Sequence, residues 1–367
     1  MGERESALEE LVTRRGVPDP GFWANRRVFL TGHTGFKGAW AALWLRQLGA
    51  EVHGFALPPE TEPSLWPQIG EGLLASETLA DIADRDSLNA ALKRARPQIV
   101  LHMAAQALVT RSYLDPVGTV ATNVLGAANL LDALRDSDGL EAVAVITTDK
   151  VYANNGCGRD YVEDDPLGGH DPYSASKAAA ELLTRSFAAS YFDRAGVPVA
   201  TARAGNVIGG GDWSPDRLAP NLWRAAREGV PLLLRSPTAT RPWQHVLEPL
   251  GGYFTYVQAL IRDGDVPRAL NFGPNPGEPV TVAEMADALG SALGVSEKWR
   301  LDERRHPPET FLLSVDPAKA RQSLGWAQRL TTREAVEWTA RWYAAHDKGE
   351  RALDLCLQQI RDYEELA

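Results

Sequence analysis

The sequence predicts an α/β fold, a doubly wound parallel sheet followed by a smaller C-terminal lobe that binds substrate. Three observations predict it. Arg27 to Gly38, RVFLTGHTGFKG, reads as a short apolar strand running into a glycine-rich turn and then a helix. Downstream, strand-length apolar runs alternate with helical patterns as far as Thr147. After Arg203 the alternation gives way to glycines, prolines, aromatics and short strands.

Residues 1–25 are expected to form an appended helix and linker, with Pro18 and Pro20 ahead of the first strand, Val28 to Leu30. Thr31, Gly32, Gly35 and Gly38 make the turn. The helix behind it places Trp40, Ala41, Trp44, Leu45 and Leu48 on one face and stops at Gly49. Glu51 to Phe55 is the second strand, and a loop carrying Pro58, Pro59 and Pro63 ends near Trp66. After Asp81-Ile82, a helix over about Asp86 to Ala95 leads through Pro97 to a strand from Gln98 to Met103. A helix over Val117 to Leu134 and a strand over Ala142 to Thr147 complete the βαβαβ alternation of a sheet covered on both faces.

A polar loop, Ala153 to Pro172, precedes a long helix from Ser174 to Ala189 and a strand from Val197 to Arg203. Gly209 to Gly211, the DWSPDR segment and strands at Leu232 to Leu234 and Ala269 to Phe272 suggest the second lobe. Thr281 with Glu284 and Thr331 with Glu334 have the three-residue spacing of reciprocal helix caps. The expected organisation is an extension over 1–25, a dinucleotide-binding Rossmann domain over 26–205, and 206–367 mainly as the substrate lobe, with some segments returning to the first domain.

The 367 residues suffice for a full core, and the net charge of −10 argues against general nucleic-acid or membrane binding. It leaves room for a local basic pocket that takes an anionic small molecule. No stretch approaches the ~20 apolar residues of a membrane span. The opening MGERESALEELVTRRG lacks the apolar run of a secretory signal, so a cytoplasmic protein is expected. Cys157 and Cys356 make neither a disulfide framework nor a zinc motif, the histidines show no ligand spacing, and no metal is expected.

The glycine turn has the make-up of a nucleotide site. Early glycines let the chain turn tightly and let a pyrophosphate approach the backbone, the last lets helix pack on strand, and the phosphates sit at the helix's positive end. The spacing is GxxGxxG, not the GxGxxG of the commonest dehydrogenases. Tyr173-Ser174-Ala175-Ser176-Lys177 is the second telling motif. Residues four apart share a helix face, and an ammonium beside a phenol lowers the tyrosine's pKa and makes it a usable base. The same spacing occurs on ordinary surface helices, so position decides. This one lies downstream of a strand ending in Thr147-Thr148-Asp149-Lys150, at the carboxyl edge of the sheet where such folds bind ligands.

TGHTGFKG, HMAAQALV, TTDKVY, DPYSASK, RAGNVIGGGDW and RPWQHVLEPL together resemble the extended short-chain dehydrogenase/reductase superfamily, and within it the CDP-glucose 4,6-dehydratase group. The resemblance runs from Phe22 to the final helices. It implies a catalytic NAD and a nucleotide-sugar substrate. Tyr173, helped by Lys177 and Thr148, would take the proton of the sugar 4-hydroxyl while the cofactor takes the hydride from carbon 4. Loss of the carbon-5 proton and the 6-hydroxyl follows, and the hydride returns to carbon 6. Asp149 is placed as the acid for the leaving hydroxyl. Lys150 stands where related dehydratases carry glutamate; it is either the carbon-5 base or the ion-pair partner of Asp149.

By the same resemblance Gly32, Gly35, Phe36 and Gly38 surround the pyrophosphate, Asp81 and Ile82 lie beside adenine, and Ala104, Ala105 and Gln106 border the nicotinamide ribose together with Tyr173 and Lys177. Asn206, Arg217, Arg235, Arg241 and His245 are the substrate candidates, the arginines because guanidinium forks match phosphate oxygens. The second strand ends in Phe55-Ala56-Leu57, with no acid for the adenine ribose before Glu60, so NAD rests on the resemblance. His33 and Lys37 would even tolerate a 2′-phosphate. A 4-epimerase on the same scaffold, a 4,6-dehydratase for another nucleotide sugar and a nucleotide-sensing protein are the competing readings. The epimerase would normally have small or apolar residues at Asp149-Lys150, and the sensing protein would lack the Tyr/Lys pair. The resemblance also implies a homodimer or homotetramer.

Overall fold

The computed structural model describes residues 16–154, 156, 158–275, 280–295, 298–304 and 313–366. The helix expected before residue 16, and Cys157, lie outside the described residues. Seven parallel strands form the central sheet: β1 (Arg27–Thr31), β2 (Glu51–Ala56), β3 (Ser76–Leu79), β4 (Ile99–His102), β5 (Ala142–Ile146), β6 (Val199–Ala204) and β7 (Ala269–Phe272), in the order β7-β6-β5-β4-β1-β2-β3. That is the doubly wound order, reversing between β1 and β4.

Side chains alternate through the sheet as the strand period requires. Val28 and Leu30 join one core with Trp40 and Trp44 of α1 (Phe36–Gln47), while Phe29 joins the other with Leu88 and Leu92 of α2 (Arg85–Ala95). The second face is completed by α3 (Pro116–Leu134) and α4 (Pro172–Phe187). A separate apolar cluster binds α5 (Leu218–Glu228) and the short strand Leu232–Leu234 to α7 (Val282–Ala292) and α8 (Thr332–Asp347). Both reciprocal caps form, at Thr281/Glu284 and Thr331/Glu334.

Four expectations are corrected. Ala269–Phe272 is the edge strand of the central sheet, paired with β6, and α6 (Leu247–Arg262) crosses behind it. Ser76–Leu79 is a strand that its polar sequence, SETL, hides. The helix over Pro116–Leu134 is interrupted by a π-turn at Ala121–Leu125. That same run is also long and apolar enough by length and composition to cross a membrane; here it packs against α2 and α4.

Candidate active site

The site lies at the carboxyl ends of the strands where the sheet order reverses. Thr31 Oγ1, at the end of β1, accepts from the N–H groups of Met103 and Ala104 at 3.0 Å each and ties the glycine turn to the end of β4. Gly32 takes φ +80°, and a Cβ there would stand 2.7 Å from the Ala104 nitrogen, so only glycine permits the approach. Gly35 caps α1 without a side-chain bond, leaving the first helical N–H groups open at the positive end of the helix dipole. This is a cradle that a pyrophosphate fits.

The opposite wall is built from β5 and α4. Asp171 caps α4 by accepting from Ser174 N at 2.9 Å, with Pro172 in the first turn, so Tyr173 stands at the helix start and Lys177 one turn further on the same face. Tyr173 lies beside Thr148, whose Oγ1 donates to Asp149 Oδ1 at 2.8 Å. Burial pushes Tyr173 up to about 12, against the pull of the nearby Thr148 hydroxyl and with the push of the Asp149 charge. Lys177 Nζ donates to the Ile146 carbonyl at 3.2 Å. Burial brings this lysine down to about 8, opposed by the carboxylate of Glu181.

Asp149 and Lys150 open a short 3-10 turn after β5. Lys150 Nζ is 3.1 Å from Asp149 Oδ1 and 3.3 Å from Asn206 Oδ1. Asp149 is fully buried, and its Oδ2 has no hydrogen-bond partner among the described residues. Of the two roles open to Lys150, the geometry displays the ion pair.

These walls enclose a continuous cavity of about 1740 Å³. Gly32, Gly35, Phe36, Gly38, Asp81, Ile82, Ala104, Ala105, Gln106, Thr148, Lys150, Tyr173, Lys177, Asn206, Arg217, Arg235 and Arg241 all line it. Asp81 accepts from Ala83 N at 2.9 Å in a local turn, and Ile82 is buried against Gly126. Gln106 is spent on its own loop, donating to Leu108 O and Thr119 Oγ1 at 3.0 Å each. Arg217 Nη1 lies 3.2 Å from Asp212 Oδ2, and Arg241 Nη1 donates to Thr240 O at 2.7 Å.

Two of the singled-out residues stand apart from the cavity. Asp149 sits one layer behind its wall, with Lys150 in front. His245 is fully buried between Trp40 and Trp338, with ring centroids at 6.1 and 5.7 Å, and burial lowers its pKa to about 3; it is a neutral packing residue, not a substrate ligand. The two cations offered for a 2′-phosphate are also committed elsewhere. His33 Nε2 is 2.8 Å from Glu77 Oε1. Lys37 Nζ lies 5.6 Å from the Tyr253 ring centroid, on the catalytic side near Lys177, Arg217 and Asp149, and burial brings it to about 7.

Sequence reasoning missed Asn123. From the π-turn it donates to Ser176 Oγ at 2.8 Å and to Gln106 O at 3.1 Å, and accepts from Gln106 N at 2.9 Å, so it joins the β4 loop to the helix of Tyr173. The available signal was an amide inside an otherwise apolar helical stretch.

Residues 28–273 match the model of the NAD dependent epimerase/dehydratase family, and the chain belongs to that family. Over 351 residues, 94% of this chain and 98% of the relative, it is 42% identical to a CDP-glucose 4,6-dehydratase of Salmonella typhimurium. Two solved structures share the fold. A UDP-glucose-4-epimerase from Stenotrophomonas maltophila with bound NAD and formylated UDP-arabinopyranose has a TM-score of 0.77 at 24% identity, covering 89% of this chain and 100% of that one. A dTDP-glucose 4,6-dehydratase from Bacillus anthracis in complex with NAD has a TM-score of 0.73 at 21% identity, covering 90% and 99%.

Proposed function

We propose that this chain is a nucleotide-sugar 4,6-dehydratase that converts CDP-glucose to CDP-4-keto-6-deoxyglucose. The observation that carries the reading is the Asp149-Lys150 pair, bonded to Thr148 and set beside Tyr173, with Lys150 presented to the cavity. An enzyme that only oxidises and reduces carbon 4 needs the tyrosine and lysine but no further acid-base pair beside them. The extended identity to the Salmonella CDP-glucose 4,6-dehydratase supports both the reaction and the nucleotide.

Bound NAD supplies a hydride acceptor that later gives the hydride back. Tyr173 takes the proton of the sugar 4-hydroxyl, and Lys177 keeps a positive charge behind the phenolate. The resulting 4-ketone acidifies the carbon-5 hydrogen. Lys150 meets the sugar at the cavity face and, as the neutral amine, takes the carbon-5 proton, while Asp149, holding the proton that the lysine passed to it, gives that proton to the departing 6-hydroxyl, so that water leaves and the pair returns to its ionised form. Arg217, Arg235 and Arg241 bind the substrate pyrophosphate, and Asn206 orients the sugar. Apolar side chains exposed on α3 and α4, among them Val117, Leu125 and Leu182, support a homodimer or homotetramer. A cytoplasmic location belongs to the same reading.

The deciding experiment is incubation with NAD and a panel of CDP-, dTDP-, GDP- and UDP-glucose, with product mass as readout. CDP-glucose is expected to lose the mass of one water. Interconversion of glucose and galactose forms without water loss would make the chain an epimerase.

A further inference from the structure

Glu181 lies one turn beyond Lys177 on α4, so Tyr173, Lys177 and Glu181 follow one another at four-residue steps along one face. It is fully buried and does not line the cavity. Both of its oxygens are held. Thr147 Oγ1 donates to Oε1 at 2.6 Å, and Arg203 on β6 forks onto the carboxylate, Nε to Oε1 at 2.7 Å and Nη2 to Oε2 at 2.5 Å. Arg203 is itself fully buried, and its Nη1 donates to the Tyr152 hydroxyl at 2.7 Å and to the Glu163 carbonyl at 3.2 Å. Arg185 adds a weaker contact at 3.8 Å.

Three consecutive residues at the end of β5 thus face three successive turns of α4. Ile146 binds Lys177, Thr147 binds Glu181, and Thr148 lies beside Tyr173. A buried ion pair is a poor source of stability, because apolar residues of similar volume often do as well or better. What the pair supplies is a carboxylate fixed in place one turn beyond the lysine. The other groups facing Lys177 do not supply one. Lys37 from α1 carries an amine whose pKa burial brings to about 7 and which is never an anion, and His102 from β4 is buried and neutral, its pKa brought to about 3 chiefly by burial and further by Lys177. Glu181 is the carboxylate that opposes burial at the Lys177 ammonium.

We propose that Glu181, clamped by Arg203 and Thr147, is a positioning residue whose fixed carboxylate keeps Lys177 charged and in register beside Tyr173. The proposal rests on the roles given above to Tyr173 and Lys177, and its test does not use the nucleotide sugar. The chain has seven lysines, few enough for side-chain carbon NMR of lysine-labelled protein, with the Lys177 signal identified as the one missing from Lys177→Arg. In the wild type Lys177 is expected to titrate near 8. In Glu181→Gln, which keeps the volume and the acceptor for Thr147, the midpoint falls by roughly one pH unit. Glu181→Asp restores part of the shift.

Because Glu181→Gln leaves Arg203 buried without its counter-charge, Glu181→Gln/Arg203→Met is titrated beside it, and its Lys177 midpoint falls as well. A purely structural pair would change melting temperature and leave the Lys177 midpoint in place. Wild-type titration in both of these folded variants overturns the proposal. Failure of the dehydratase reading appears separately, as wild-type enzyme that leaves CDP-glucose unchanged.

Discussion

Lys150 Nζ and Asp149 Oδ1 are 3.1 Å apart, and it is the lysine, not the aspartate, that faces the cavity. The aspartate accepts from Thr148 behind that wall, so the pair links the tyrosine side of the site to the sugar. Replacing Asp149 by Asn keeps an acceptor for Thr148 and removes the charge that holds Lys150. Elimination should slow by about 100-fold, in the range of a lost acid-base group, while the first hydride transfer stays measurable as reduced-cofactor absorbance after mixing with CDP-glucose. An unaltered dehydration rate would remove Asp149 from the acid role.

Tyr173 and Thr148 should separate from that pair kinetically. Tyr173→Phe removes the base, and carbon-4 oxidation should fall by about 10³-fold or more. Thr148→Val keeps the volume but removes the hydroxyl that bonds Asp149 and lies beside Tyr173, so oxidation and elimination should both slow, whereas Thr148→Ser should restore most of each. Stopped-flow measurement of cofactor reduction, run beside product mass, distinguishes the steps. Loss of elimination alone in Thr148→Val would break the proposed link through the threonine hydroxyl.

The glycine cradle makes a third prediction. Gly32→Ala places a side chain at φ +80° and 2.7 Å from the Ala104 nitrogen. The left-handed backbone alone costs about 1–2 kcal/mol, and relieving the contact must part β1 from the β4 loop. Melting temperature and NAD affinity should drop together. In the wild type NAD should bind at least about tenfold tighter than NADP, a gap of about 1.4 kcal/mol, because His33 and Lys37 are engaged away from any 2′-phosphate. Calorimetric titration of both cofactors checks this; tighter NADP binding would reassign the cofactor.

Features written in local periodicity were legible before any coordinates. The turn at Gly32 and the Tyr173/Lys177 face depend on residues within a few positions of each other, and so do the caps at Thr281 and Thr331. Features set by partners far along the chain were not. Ser76–Leu79 is a strand because β2 offers it an edge, its own side chains being polar and half exposed. Ala269–Phe272 resembles any short apolar strand, and only the pairing with β6 places it in the sheet. His245 sits in a motif of the resembled family, yet Trp40 and Trp338 bury it. Asp149 and Lys150 are adjacent in sequence, and which one meets the cavity follows from a single short turn.

Glu248 offers a test outside the chemistry. It is buried at the start of α6, where Oε1 accepts from Arg329 N at 3.0 Å and Leu330 N at 2.7 Å, and Oε2 accepts from the Tyr363 hydroxyl at 2.9 Å. Burial outweighs these bonds and raises its pKa from 4.5 to about 7. Between those two values the folded protein holds a proton that the unfolded chain has released, so stability falls as pH rises through this window. The stabilising contribution is complete below the unfolded value and gone above the folded one, a difference of about 3 kcal/mol. Glu248→Gln keeps an acceptor for Arg329 and Leu330 and can donate to Tyr363, without a charge to desolvate. The variant should therefore melt higher than the wild type above neutral pH, with the gap closing as the pH is lowered toward 4.5. Melting curves across that range measure it, and parallel pH dependence in the two proteins would show that Glu248 does not titrate there.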